Sequence, residues 1–96
     1  MTYQDFIDSI THPDPPAGIN ELLLALWYDA RGDWESAHQI AQKKEGTPTY
    51  DRIHAYLHRV EGDQWNAGYW YRRAGEATYT KSLKEEWEEL VRRFLS

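Results

Sequence analysis

The chain has 96 residues, a formal net charge of −5 and no cysteine. That length suits one domain, and the missing thiols exclude disulfides, thiolate metal ligands and a cysteine nucleophile. No lysine or arginine run offers phosphates a counterion-releasing surface, so nucleic-acid binding is not expected.

From the N-terminus, Thr2 to Ile10 reads as a short helix, with Thr2 as cap and Tyr3, Phe6, Ile7 and Ile10 on one stripe. Its first residues lack the cationic-then-apolar order of a signal peptide. Pro13, Pro15 and Pro16 then make a stiff connector. Ile19 to Arg31 is predicted as the second helix, and its run from Leu22 to Tyr28 leaves almost no polar face. A helix apolar all round is buried on several sides. The run is nevertheless too short to cross a bilayer, so a cytoplasmic protein with no membrane contact is expected.

Gly32 fits the left-handed residue that closes the second helix, and Asp33 the N-cap of the third. That third helix is expected to reach Glu45, with Trp34, Ala37, Ile40 and Ala41 inward. Thr47-Pro48 opens a fourth helix as cap and first helical position, with a stripe of Tyr50, Ile53, Leu57 and Val60. Gly62-Asp63 repeats the turn and starts a fifth helix running to about Gly75. Ala67, Tyr71 and Ala74 form its inner face, and Trp70 flanks them. Ser82 and Glu85 fit a capping box for the last helix. Leu83, Trp87, Leu90, Val91 and Phe94 form its buried stripe, with Glu85, Glu86, Glu88, Glu89, Arg92 and Arg93 toward water. No strand-like alternation competes, and the fold class is all-α.

Aligning Gly32-Asp33 on Gly62-Asp63 superposes Ala37 on Ala67 and Ala25 on Ala55. A helix, a tight Gly-Asp turn and a second helix with alanine at the crossing resembles the tetratricopeptide repeat. Tyr71 and Ala74 match that family's aromatic and alanine. The offset of 30 residues between the turns is shorter than the family's period of about 34, and neither unit ends in the family's proline. The stretch from His54 to Arg59 with Asn66-Ala67 and Tyr69 to Ala74 is also similar to a set of small uncharacterised bacterial proteins. The resemblance implies a right-handed array of antiparallel helix hairpins, about six helices in all. One domain over residues 1–96 divides into an N-terminal helix and connector (1–18), a first hairpin (19–46), a second (47–76) and a C-terminal helix (80–96). The two terminal helices are expected to cap opposite ends of the array.

Three sets of residues carry possible function. Arg52, Tyr56 and Arg59 lie on the face of helix four opposite its apolar stripe, where the resemblance implies a concave binding surface, and Asp29 of helix two falls beside them. Two guanidiniums around a tyrosine suit a carboxylate or an acidic peptide. A protein or peptide partner is the expected ligand, with no cofactor. Trp65 and Tyr69 project from the outer side of helix five, where either the last helix covers them or they form a partner or homodimer surface. Covering by the last helix is the expectation.

The alternative is a metal or small-ligand site. His54 and His58 are four residues apart and share a helix face, as paired zinc ligands do. If helices three and four run antiparallel, His38 falls at their level, with Glu61 one turn on. A divalent ion such as zinc is the cofactor on that reading. The simpler alternative is that His54, beside the Ile53–Leu57 stripe, hydrogen-bonds across to another helix without any metal. No serine-based nucleophile motif or glycine-rich phosphate loop is present, so binding is expected rather than catalysis.

Overall fold

The computed structural model describes residues 1–95, and Ser96 lies outside them. It contains α1 (Tyr3–Ser9), α2 (Glu21–Ala30), α3 (Trp34–Ala41), a 3₁₀ turn (Gln42–Lys44), α4 (Pro48–Val60), α5 (Gln64–Ala74) and α6 (Leu83–Leu95). Among the described residues there is no strand, and the all-α class is as read from the sequence. No described helix is long and apolar enough to cross a membrane.

Local side chains set the boundaries. Thr2 and Asp5 form a reciprocal capping box at the start of α1, each taking the other's backbone N–H at 3.1 Å. α2 starts two residues later than the sequence suggested, because Asn20 is its cap and accepts from the Leu23 N–H at 2.9 Å. Both Gly-Asp turns have one geometry. Gly32 and Gly62 take φ of 80° and 86°, a region that costs a side chain strain. The next N–H closes back on the helix, Asp33 to the Tyr28 carbonyl and Asp63 to the His58 carbonyl, each at 2.9 Å. Asp33 and Asp63 then cap α3 and α5 by accepting from the N–H groups of Ser36 and Asn66, both at 3.1 Å. α3 stops at Ala41 and tightens into the 3₁₀ turn before Gly46. The buried Asp51 carboxylate accepts the Gly46 N–H at 3.1 Å and draws the chain into α4. At α6, Ser82 accepts from the Glu85 N–H, while the Glu85 carboxylate takes the Ser82 hydroxyl instead of its backbone N–H.

Chain neighbours pack as pairs, α2 on α3, α3 on α4 and α4 on α5, and α2 also touches α4. The main core joins Phe6 of α1, Leu23, Leu26 and Trp27 of α2, Ile53 and Leu57 of α4, and Leu90 and Val91 of α6. A smaller cluster of Ala55, Ala67, Trp70 and Tyr71 holds α5 to α4. The two alanines, both fully buried, bring those helices close.

The last helix corrects three expectations. α6 packs on α1, α2 and α4 and leaves Trp65 and Tyr69 of α5 uncovered at 77% and 38% exposure. Its stripe finds a deeper seat, where Leu90 and Val91 are fully buried and the Trp87 indole N–H donates to the Leu26 carbonyl at 3.0 Å. The terminal helices are therefore neighbours and not opposite caps, with the Phe6 and Trp87 rings 6.0 Å apart. Glu86, expected in water, is fully buried.

Candidate metal centre

Glu86 explains what became of the arginine face of α4. Its Oε1 accepts from Arg59 Nη1 at 2.8 Å, and the Tyr71 hydroxyl donates to Oε2. Arg52 Nη1 lies 2.8 Å from the same Oε2 as a charge contact outside hydrogen-bond alignment. Arg52 also donates through Nε to Glu76 at 3.1 Å, and its guanidinium stands 4.8 Å over the Tyr71 ring. Tyr56 donates to Asp29 at 2.6 Å. The expectation of an open face for a partner is thus corrected: Arg52 is 3% exposed and Tyr56 3%. The anticipated carboxylate is there, but α6 of the same chain supplies it. Tyr69 and Trp65 stay at the surface, where the Tyr69 hydroxyl accepts from Arg73 at 3.0 Å.

On the side of α4 turned toward α3, the structure brings the three histidines together. One nitrogen from each of His38, His54 and His58 lies within 4.8 Å of the others. His38 Nε2 and His54 Nε2 are hydrogen-bonded at 3.0 Å, one ring donating and the other accepting, and an ion would replace the shared proton. Two imidazole nitrogens on one tetrahedral zinc sit about 3.3 Å apart, given Zn–N bonds of about 2.0–2.1 Å, so this pair is already at ligand spacing. Drawing in His58 needs a contraction on the order of 1 Å. The backbone sets this convergence. The α3–α4 hairpin places the last turn of α3 beside the middle of α4, and buried Ala37 and Ala41 let the helices approach.

Aromatic rings fix the imidazoles. His38 stacks on Trp34 with centroids 4.5 Å apart and planes 12° from parallel. His54 stacks on Trp70 at 3.8 Å and 16°, and on its other neighbour His58 at 4.8 Å and 19°. Trp34 is itself held by donating its indole N–H to the Leu57 carbonyl at 2.7 Å. Trp34 stands four residues before His38, so its place beside the cluster was open to sequence reasoning. Trp70 gave no such signal, since only the α4–α5 crossing delivers it.

Charge and hydrogen bonding suit neutral ligands. Burial pushes the His54 imidazole down to about 3, helped by its two histidine neighbours and by Arg73. Burial also lowers His38, with the His58 charge next. Metal ligation requires unprotonated imidazole nitrogen. His54 Nδ1 is buried with no hydrogen-bond partner among the described residues. Leaving such an atom unpaired costs about 1–3 kcal/mol, and an ion on His54 Nε2 would not relieve it. His58 Nδ1 lies 2.6 Å from Glu61 Oε1. A carboxylate on one imidazole nitrogen orients the ring and frees the other nitrogen for an ion. His58, Glu61 and Asp63 make a second group within the same spacing. There, however, Asp63 is committed to capping α5 through Asn66, whose side chain also donates to it at 2.6 Å. His54 is 2% exposed, whereas His38 and His58 are half-buried, so the cluster has a closed floor and an edge that solvent reaches. Compared with protein-family models, curated proteins and solved structures, the chain matches none.

Proposed function

We propose that this protein binds one divalent transition-metal ion through His38, His54 and His58, with Glu61 orienting His58. The observation that carries this reading is the 3.0 Å approach of His38 Nε2 to His54 Nε2, with a third imidazole nitrogen within 4.8 Å. Three imidazoles suit zinc, copper or nickel better than magnesium or calcium, which prefer oxygen. Three protein nitrogens leave a fourth position, on the solvent side, for water or an incoming ligand.

The same proposal extends to the architecture: two tetratricopeptide-like hairpins, α2–α3 and α4–α5, stacked as a right-handed array. Supporting it are the matched Gly-Asp turns and the packing of α4 on both α2 and α3. On this arrangement α6 lies across α2 and α4, where the repeat family receives its ligands, which leaves the histidine groove as the free site. An experimental structure with α2 and α4 apart would overturn it.

The functional test is calorimetric titration of the metal-free protein with zinc. One ion per chain is expected, and changing any one of the three histidines to glutamine should weaken binding by more than about 100-fold, beyond the range typical of outer-shell changes. Glu61→Gln should cost less, about 10–100-fold. Absence of saturable binding of zinc, copper and nickel alike would end the proposal.

A further inference from the structure

A second concavity lies on the far side of α4 from the histidines. Tyr56 of α4 and Asp29 of α2 form its floor, and Tyr3 and Ile7 of α1 face Leu83 and Trp87 of α6 across it. Its volume is about 510 Å³, in the range of pockets that hold small molecules, about 300–1,000 Å³.

The floor carries an imbalance. Asp29 Oδ2 accepts the Tyr56 hydroxyl at 2.6 Å. Oδ1 has no hydrogen-bond partner among the described residues and is not sealed in the core, and Asp29 lines the cleft. No cation of the described residues lies within ion-pair distance of this carboxylate. A desolvated carboxylate is stabilised by a cation that fits against it, and far less by a neutral group. Burial already raises Asp29, against the lowering by Tyr56. Burial raises Tyr56 as well, which keeps its hydroxyl protonated as the donor.

The walls favour the same kind of guest. Trp87 and Tyr3 offer aromatic faces, to which ammonium and guanidinium groups are attracted. Tyr3 already carries the Arg92 guanidinium 3.8 Å from its ring centre. At the rim Glu88 adds a second negative charge, and Lys84 is the one cation among the lining residues.

From this we infer that the cleft between α1, α2 and α6 binds a small organic cation. Its ammonium would sit on Asp29 Oδ1 and its aromatic or aliphatic body against Trp87 and Ile7. An anion would meet Asp29 and Glu88, and a neutral guest would leave Asp29 unpaired. Among the lining residues the internal competitor is the Lys84 amine, folding in to meet Asp29 itself, while Arg92 already holds one face of Tyr3.

The test uses phenethylamine, its neutral isostere 2-phenylethanol and the anion phenylacetate, followed by the NMR signal of the Trp87 indole N–H. Saturable binding of phenethylamine is expected, about thirtyfold or more tighter than either analogue, the scale set by removing one partner of a buried charge pair. Asp29→Asn should erase that preference, and Lys84→Met should leave amine binding unchanged or tighten it. Should Asp29→Asn fail to fold, the three-ligand comparison on the unaltered chain decides alone. Equal affinity for amine and alcohol, no saturable amine binding, or loss of amine binding in Lys84→Met would each overturn the assignment.

Discussion

Replacing Glu86 with alanine is expected to lower the unfolding free energy by about 3–5 kcal/mol, the usual cost of removing one partner of a buried ion pair. Glu86 is fully buried and is the carboxylate shared by Arg52, Arg59 and the Tyr71 hydroxyl. Without it, Arg59 keeps the Lys81 carbonyl and the Tyr79 ring face, and Arg52 keeps Glu76 and the Tyr71 ring face. Arg59 would then have no carboxylate to balance it, and Arg52 would have only the Glu76 carboxylate that Arg93 also uses. The loss is a large share of the about 5–15 kcal/mol that holds a typical domain together. In a chain of this length it should shift the melting temperature by on the order of 15 °C or more. Glu86→Gln keeps the shape and the tyrosine bond but sets an amide against the arginines, and should recover less than half of the loss. Glu85→Ala, one residue away and exposed, should cost no more than about 1 kcal/mol, mostly through the Ser82 cap. Chemical denaturation of the three variants checks this, and equal effects at positions 85 and 86 would contradict the buried-charge assignment.

The second large effect is metal-linked stability. An ion that binds only the folded chain stabilises it by about 2.7 kcal/mol at a free concentration 100-fold above its Kd. Zinc should therefore raise the melting temperature of the metal-free protein by about 10 °C under those conditions, and a chelator should reverse the rise. His54→Gln should abolish the response, because His54 is the buried member and its ring lies 4.7 and 4.8 Å from those of His38 and His58, against 5.2 Å between those two. Protons compete with the ion for the same nitrogens, so the zinc increment should shrink on acidification. A zinc increment equal in the unaltered chain and in His54→Gln would place the ion elsewhere.

Much of the fold was legible because it is written in local chemistry. Thr2, Asp33 and Asp63 cap helices within three residues of themselves, and Gly32 and Gly62 close turns that only glycine adopts without strain. The alanines at 37 and 67 mark helix crossings for the same reason, since each needs only its own helix to be read. What failed to show was the destination of α6, which depends on which apolar surfaces remain once four other helices have packed. Glu86 had nonetheless left a trace. It lies three residues after Leu83 and four before Leu90, on the same stripe, and its position decides its burial over its residue type.

The two candidate sites divide in the same way. Arg52, Tyr56 and Arg59 were recognised as a carboxylate receptor, but sequence spacing cannot show that the carboxylate comes from residue 86 of the same chain. His54 and His58 needed only a helix to share a face. His38 needed only the hairpin after it, and the contact formed at 3.0 Å. The Trp70 stack on His54 arises from the α4–α5 crossing and could be seen only in three dimensions.

The most direct test of the three-histidine site is an imidazole nitrogen NMR spectrum of ¹⁵N-labelled protein, recorded near neutral pH before and after one equivalent of zinc. One ring nitrogen of each of His38, His54 and His58 should move to the metal-bound range together, while His58 Nδ1 keeps its proton toward Glu61 and the signals of His12 stay in place. Zinc leaving those three rings unshifted, or shifting His12 in their stead, would contradict it.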